Sequence, residues 1–179
     1  SASAVLASAC LPQLFRAVEI DGRAYWDGGY LANPPLAPLI AESAADDLLV
    51  VQLNPTRREA LDEDADAILA RVNEISFNAS LVNELRGILT LRRALALAPP
   101  GFLCGEALLD KLSTLRLHRI AATETDVASD GRGRMNPEWS LLQRLHGAGQ
   151  RAADAWLQQY GDSLGRVSTL DDTTALDFP

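Results

Sequence analysis

Leu48-Leu49-Val50-Val51-Gln52-Leu53 is a nearly continuous apolar run, bounded by Asp46-Asp47 on one side and Asn54-Pro55 on the other. A run of this length and kind fits a strand buried on both faces, as in the middle of a parallel sheet. Parallel neighbours cannot be joined by a tight turn and need a helical crossover, so the run asks for an α/β architecture. The chain supplies the helices. Asn33-Pro34-Pro35 reads as a helix start, with an amide oxygen to cap and a pre-set φ to follow, and that helix carries to about Ala45. Beyond the strand, the acidic stretch Asp62, Glu63, Asp64 and Asp66 leads into a helix expected from Ala65 to Leu97. Its apolar positions Ile68, Val72, Ile75, Ala79, Val82, Leu85 and Leu89 alternate steps of three and four, which predicts one stripe facing a core. Pro99-Pro100-Gly101 ends it.

The remainder is read the same way. Leu115 to Ala121 alternates apolar and polar residues, a half-exposed strand. Pro137 to about Tyr160 is expected to be helical, with Leu141, Leu142, Leu145, Ala148, Ala152, Trp156 and Leu157 on one face. The polar tail from Gly165 onward is expected to be loosely attached. At the other end, residues 1–15 are small and apolar and read as a short packed helix stopped at Leu11-Pro12.

Composition narrows the function. The 179 residues carry a formal net charge of −8, which leaves no basic footprint for nucleic acid. No apolar run approaches the ~18 residues of a membrane span, and no signal-peptide layout opens the chain, so a cytoplasmic location is expected. Cys10 and Cys104 read as two buried free thiols rather than the one disulfide that their number permits. With only His118 and His146 to join them, and no ligand spacing, structural zinc is excluded. Basic residues are almost all arginine, with Lys111 the single lysine, a bias expected of a GC-rich bacterial genome. The chain begins at Ser1 and its one methionine is Met135, which reads as a processed chain or a fragment.

The sharpest local feature is Tyr25-Trp26-Asp27-Gly28-Gly29-Tyr30. It closes a predicted hairpin, Ala17–Ile20 and Arg23–Trp26, in which Asp21-Gly22 supplies the positive φ angles of a two-residue turn. A carboxylate at the carboxyl end of a strand sits where open α/β sheets build their sites, and two glycines leave it uncovered. The same residues fit a turn aspartate capping its own loop. Trp26 and Tyr30 flank the acid, as walls of an acyl pocket or equally as packing aromatics.

The ordered set Ala7-Ser8-Ala9-Cys10-Leu11-Pro12, Phe15, the Asp-Gly hairpin, Trp26-Asp27-Gly28-Gly29 and Asn33-Pro34-Pro35 resembles the C-terminal catalytic block of bacterial patatin-like phospholipases. The resemblance is dense over residues 7–40 and looser beyond, in the strand ending at Asn54-Pro55 and the segment Phe77-Asn78-Ala79-Ser80-Leu81. It implies a three-layer fold, an open, mostly parallel sheet flanked by helices, and a Ser–Asp dyad acting through an acyl-enzyme. By motif position Asp27 is the proton acceptor, with Gly28 and Gly29 shaping its approach. The implied chemistry takes a lipid or acyl ester (phospholipid, neutral lipid or thioester), with transient contact with a membrane surface and no metal or cofactor.

Two family elements, a glycine-rich oxyanion loop and a Gly-x-Ser-x-Gly elbow, do not precede Asp27. The expectation is therefore the C-terminal part of one patatin-like domain, completed by an N-terminal segment of the same protein. Residues 1–55 would be the aspartate block, 56–164 a helical and strand extension and 165–179 a loose tail. The alternative is a non-catalytic remnant or a binding or regulatory module on the same fold. Gly161-Asp162-Ser163-Leu164-Gly165 matches the elbow letter for letter, but it follows an amphipathic helix instead of an apolar strand. Gly161 and Gly165 read as a helix cap and a loop, and Ser163 as no nucleophile. His118 reads as a surface or interface residue, and His146 as a helix-face residue. Asn78-Ala79-Ser80 matches a glycosylation triplet but falls inside a helix.

Overall fold

The structure, a computed structural model, describes residues 1–56, 64–99, 107–121 and 138–170. Five helices and four strands are found in these residues: α1 (Ala2–Ala7), β1 (Val18–Ile20), β2 (Arg23–Tyr25), α2 (Leu36–Glu42), β3 (Asp47–Gln52), α3 (Ala65–Ala96), α4 (Ala107–Thr114), β4 (Arg116–Ala121) and α5 (Trp139–Tyr160). The hairpin forms as the turn chemistry requires. β1 and β2 pair antiparallel with Ile20 opposite Arg23, and Asp21 and Gly22 take φ of 50° and 73°.

β3 and β4 are parallel neighbours, in register from Asp47 against Arg116 to Gln52 against Ala121. The chain between them runs through α3 and α4, the helical crossover that a parallel pair needs. One face of the pair packs on a core of Leu36 and Ile40 from α2, Leu81, Leu85, Ile88 and Leu89 from α3, and Leu112 from α4, around Val50 and Leu117. Successive strand residues point to opposite faces. His118, next to Leu117, therefore faces the other way, where Trp156 of α5 meets its ring edge-on at 5.7 Å. Mixed α/β is thus observed, with two two-stranded sheets among the described residues rather than the wider open sheet expected.

The β3 run is covered on one face only. Val50 and Gln52 are buried, whereas Val51 is 61% and Leu53 73% exposed. The expectation of burial on both faces is corrected, because α2, α3 and α4 lie on the core side while α5 packs on β4. The stripe of α3 divides likewise. Val82, Leu85 and Leu89 are buried, but Ile68, Val72 and Ile75 are exposed, because the core lies against the second half of the helix.

Caps and ends differ from expectation in instructive ways. Asn33 does not cap α2; Glu84, reaching over from α3, accepts from Leu36 N at 2.7 Å and Ala37 N at 3.0 Å. The helix ends at Glu42, short of Ala45. α1 ends at Ala7, where only that residue is buried, and Val5 and Leu6 face outward. The segment 165–170 is not loose. Thr169 N and Leu170 N donate to Leu117 O at 3.0 and 2.9 Å, Ser168 Oγ accepts from Leu117 N, and Leu170 joins the core. Cys10 is a buried free thiol, whereas Cys104, Pro100, Gly101, Pro137 and the tail beyond 170 lie outside the described residues.

Candidate active site

Asp27 lies one residue past the end of β2, after Trp26, and starts a single 3-10 turn, Gly28–Tyr30. Its position is set by the backbone first: Asp27 N donates to Cys10 O at 2.9 Å, tying the loop to the chain after α1. The side chain then accepts from Gly29 N, with Oδ1 at 2.8 Å. The capping reading and the exposed-acid reading are therefore both present in one residue. Oδ1 closes the turn, and Oδ2 accepts no protein hydrogen bond among the described residues. Gly29 has a steric reason to be glycine. A Cβ there would lie 3.1 Å from Asp27 Oδ1 and 3.4 Å from Phe77 Cε1. A Cβ on Gly28 would meet nothing within 4 Å.

The loop is pinned to α3. The Tyr30 and Phe77 rings lie 5.1 Å apart, tilted by 57°, and Asn33 N donates to Ser80 Oγ at 3.2 Å. Between the loop, the carboxyl end of β3 and the middle of α3 lies a cavity of about 510 Å³. Asp27 and Gly29 form one wall, Val51 to Asn54 a second, and Phe77, Asn78 and Leu81 a third, with Ser8 and Leu11 at one side. Trp26 and Tyr30 are not among its lining residues. Trp26 instead donates from Nε1 to Phe15 O at 3.2 Å, and the Tyr30 hydroxyl bonds Gln13.

The serines are placed plainly. Ser8 lines the cavity, with its hydroxyl donating to Val5 O at 2.8 Å. Ser163 sits in a 3-10 turn that continues α5, and Gly165 beyond it has φ of +73°. That is a helix end and loop, as the sequence predicts, not a strand-to-helix elbow. Ser1 caps α1. His146 is exposed on α5, and Asn78 is buried on α3.

Two polar clusters escaped the sequence reading. The first is a relay at the cavity wall: Gln52 Nε2 donates to Asn78 Oδ1 at 3.3 Å, and Asn78 Nδ2 donates to the Asn54 and Pro55 carbonyls at 3.4 and 3.2 Å. A glutamine inside an apolar run was its only trace in the sequence. The second cluster surrounds Asp47 at the start of β3. Arg116 clasps the carboxylate with Nε at 3.0 Å and Nη2 at 2.8 Å, Gly165 N donates at 2.9 Å, and His118 Nε2 lies at 3.0 Å. An ionised carboxylate only accepts, so His118 Nε2 carries the proton; Nδ1 lies 2.9 Å from Thr169 Oγ1. The Arg116 fork, then the Gly165 amide and His118, hold the Asp47 carboxyl well below its ordinary range, and Asp47 in turn raises Arg116. His118 is 0% exposed, which corrects the surface reading: its ring is the buried link between β3, β4 and residue 169. Among the described residues no group of histidine, cysteine and carboxylate side chains could hold a metal.

The chain is thus mixed α/β, with a half-buried carboxylate on a hairpin loop that shares a cavity with the carboxyl end of a parallel strand. The family model for patatin-like phospholipase matches residues 1–40, the segment that carries the hairpin, Asp27-Gly28-Gly29 and Asn33-Pro34-Pro35. Neither a curated protein nor a solved structure matches the chain. The similarity is thus to a lipid acyl hydrolase family, over the part of the chain that builds the Asp27 loop. No described helix is long and apolar enough to cross a membrane.

Proposed function

We propose that this chain supplies the general base of a Ser–Asp lipid acyl hydrolase, with Asp27 as that base. Its nucleophile and oxyanion donors would come from a segment preceding Ser1 in the parent protein. The observation that carries the reading is the split duty of Asp27: Oδ1 is held by Gly29 N–H while Oδ2 is uncommitted beside a largely apolar cavity. In this mechanism Oδ2 takes the proton of the serine hydroxyl as its oxygen attacks the ester carbonyl. Collapse of the tetrahedral intermediate expels the alcohol, which leaves with the proton from Asp27. Asp27 then deprotonates water, which attacks the acyl-enzyme, and the proton returns to the serine as the acid departs. Val51 on β3 and Leu53 just past its end, at the cavity wall, are exposed, and that is where a completing segment would lie.

Asp27→Asn in the full-length parent keeps the shape of the loop and removes the base. Ester hydrolysis should fall by about 10²–10⁴-fold with the thermal transition retained. A fluorophosphonate probe should label the parent and leave this chain unlabelled. Undiminished hydrolysis in Asp27→Asn would sink the base assignment, and a parent without an upstream Gly-x-Ser-x-Gly segment would move the chain to a binding or regulatory module. Labelling of this chain at Ser163 would reinstate that serine.

A further inference from the structure

Asn33 stands just ahead of α2, yet Glu84 holds the Leu36 and Ala37 amides that an asparagine cap would serve. Its side chain is exposed, and neither Oδ1 nor Nδ2 bonds the protein among the described residues. The backbone is nonetheless fixed, because Asn33 N donates to Ser80 Oγ on α3 at 3.2 Å. An amide relieved of capping, on a backbone that is held, can serve what enters the cavity.

That cavity is the one Asp27 lines. The Cβ that Gly29 lacks would lie 3.1 Å from Asp27 Oδ1 and 3.8 Å from Asn33 Oδ1, so both side chains reach the same side of Gly29. Two acceptors bordering one space do not bond each other; they call for a molecule that donates twice. Water has two O–H groups, whereas a serine hydroxyl or a simple alcohol has one. We propose that Asn33 positions the hydrolytic water of the second half-reaction, its Oδ1 accepting one O–H while the Asp27 carboxylate accepts the other. This rests on reading Asp27 as the general base. The water oxygen bonds the acyl carbon as Asp27 takes one proton, and the second O–H stays on Asn33 Oδ1. Collapse breaks the bond between the acyl carbon and the serine oxygen. The serine takes the proton back from Asp27, and the carboxylic acid departs with the other. Formation of the acyl-enzyme makes no use of Asn33, because the serine hydroxyl has no second hydrogen to give. Asn33 therefore favours water over alcohols as the acyl acceptor.

Partitioning in the full-length parent tests it. With a p-nitrophenyl ester as substrate and methanol added, free acid and methyl ester form from one acyl-enzyme, so their ratio is independent of the acylation rate. Asn33→Leu should lower the ratio of acid to methyl ester about three- to tenfold, the worth of one hydrogen bond. Asn33→Asp keeps an acceptor in the same place and should hold the ratio within about twofold of wild type. An unchanged ratio in Asn33→Leu, whatever the overall rate, or a ratio in Asn33→Asp as low as in Asn33→Leu, would each overturn the assignment. Both variants should keep the thermal transition, since the side chain is exposed and unbonded. Should Asn33→Leu not fold, Asn33→Ala removes the same acceptor and is read in the same way. Hydrolysis surviving in Asp27→Asn refutes the base itself, whereas an inert Asp27→Asn beside an unmoved Asn33→Leu ratio refutes the water-positioning role alone.

Discussion

Of the two glycines after Asp27, one alone sets where the carboxylate lies. Gly29 is required on its N–H and its missing Cβ together: the amide holds Oδ1 at 2.8 Å, and a Cβ would press on that same oxygen from 3.1 Å. Gly28 faces open space at ordinary φ, so its hydrogen is not a steric necessity. The pair therefore separates in an experiment on the full-length parent. Gly28→Ala should change stability by no more than about 0.5 kcal/mol and leave kcat/KM nearly unchanged. Gly29→Ala should shift the carboxylate by a few tenths of an ångström and lower kcat/KM by roughly tenfold or more, with the fold kept. Equal activity in the two variants would show that the turn does not set the acid. Asp27 itself was legible in the sequence because hairpin, acid and glycines are contiguous. The Gln52–Asn78 relay was not, because it depends on carbonyls and an amide brought from α3 and the β3 end.

At the scale of elements, the Asp47 cluster joins two strands and the 165–170 segment through one carboxylate. Asp47 opens β3, Arg116 and His118 belong to β4, and Gly165 leads the segment whose Thr169 and Leu170 dock on Leu117. The sign of its pH dependence follows from its partners. A carboxyl held below its ordinary value of 3.8 stabilises the fold fully above that value, and the contribution is lost as pH falls from there through the lowered one. Acid melting should therefore steepen below about pH 4 in the native protein. Asp47→Asn should be less stable at pH 7, show a shallower acid slope, and lose amide protection first at Gly165, Thr169 and Leu170. Parallel acid slopes in the two proteins, or unchanged protection at those amides, would rule out the clamp. The same cluster explains which element readings succeeded. Hairpin and long helix are set by local turn chemistry and capping, with Asp64 accepting from Ala67 N at 2.8 Å, so neighbours in sequence were sufficient. Burial of His118 depends on Asp47 71 residues away, and docking of residues 165–170 on the same carboxylate 118 residues away, which no local pattern encodes.

At the scale of the whole molecule, apolar periodicity revealed which side chains could be buried and not which had something to be buried against. Leu49 and Val51 on β3, Leu53 just after it, and Ile68, Leu69, Val72 and Ile75 on the first half of α3 are exposed, so one strand face and half a helix stripe offer apolar surface to solvent. Surface of this kind favours association, at about 25 cal/mol for each Å² removed from water. The net charge of −8 acts against it at long range and is screened beyond about 8 Å at physiological salt. The two terms separate by ionic strength, because salt weakens the repulsion and leaves the apolar term in place. This chain should therefore self-associate more strongly as sodium chloride rises from 20 to 500 mM, settings at which the Debye length falls from roughly 20 Å to roughly 4 Å. Sedimentation velocity over a concentration series reads the effect directly. Val51→Lys, placing a charge on the open face of β3, should shift the distribution toward monomer without lowering the melting temperature, since Val51 has little burial to lose. A monodisperse monomer at high salt and high concentration would mean that the exposed β3 face is not a surface awaiting a covering segment, and would remove the structural support for a completing one.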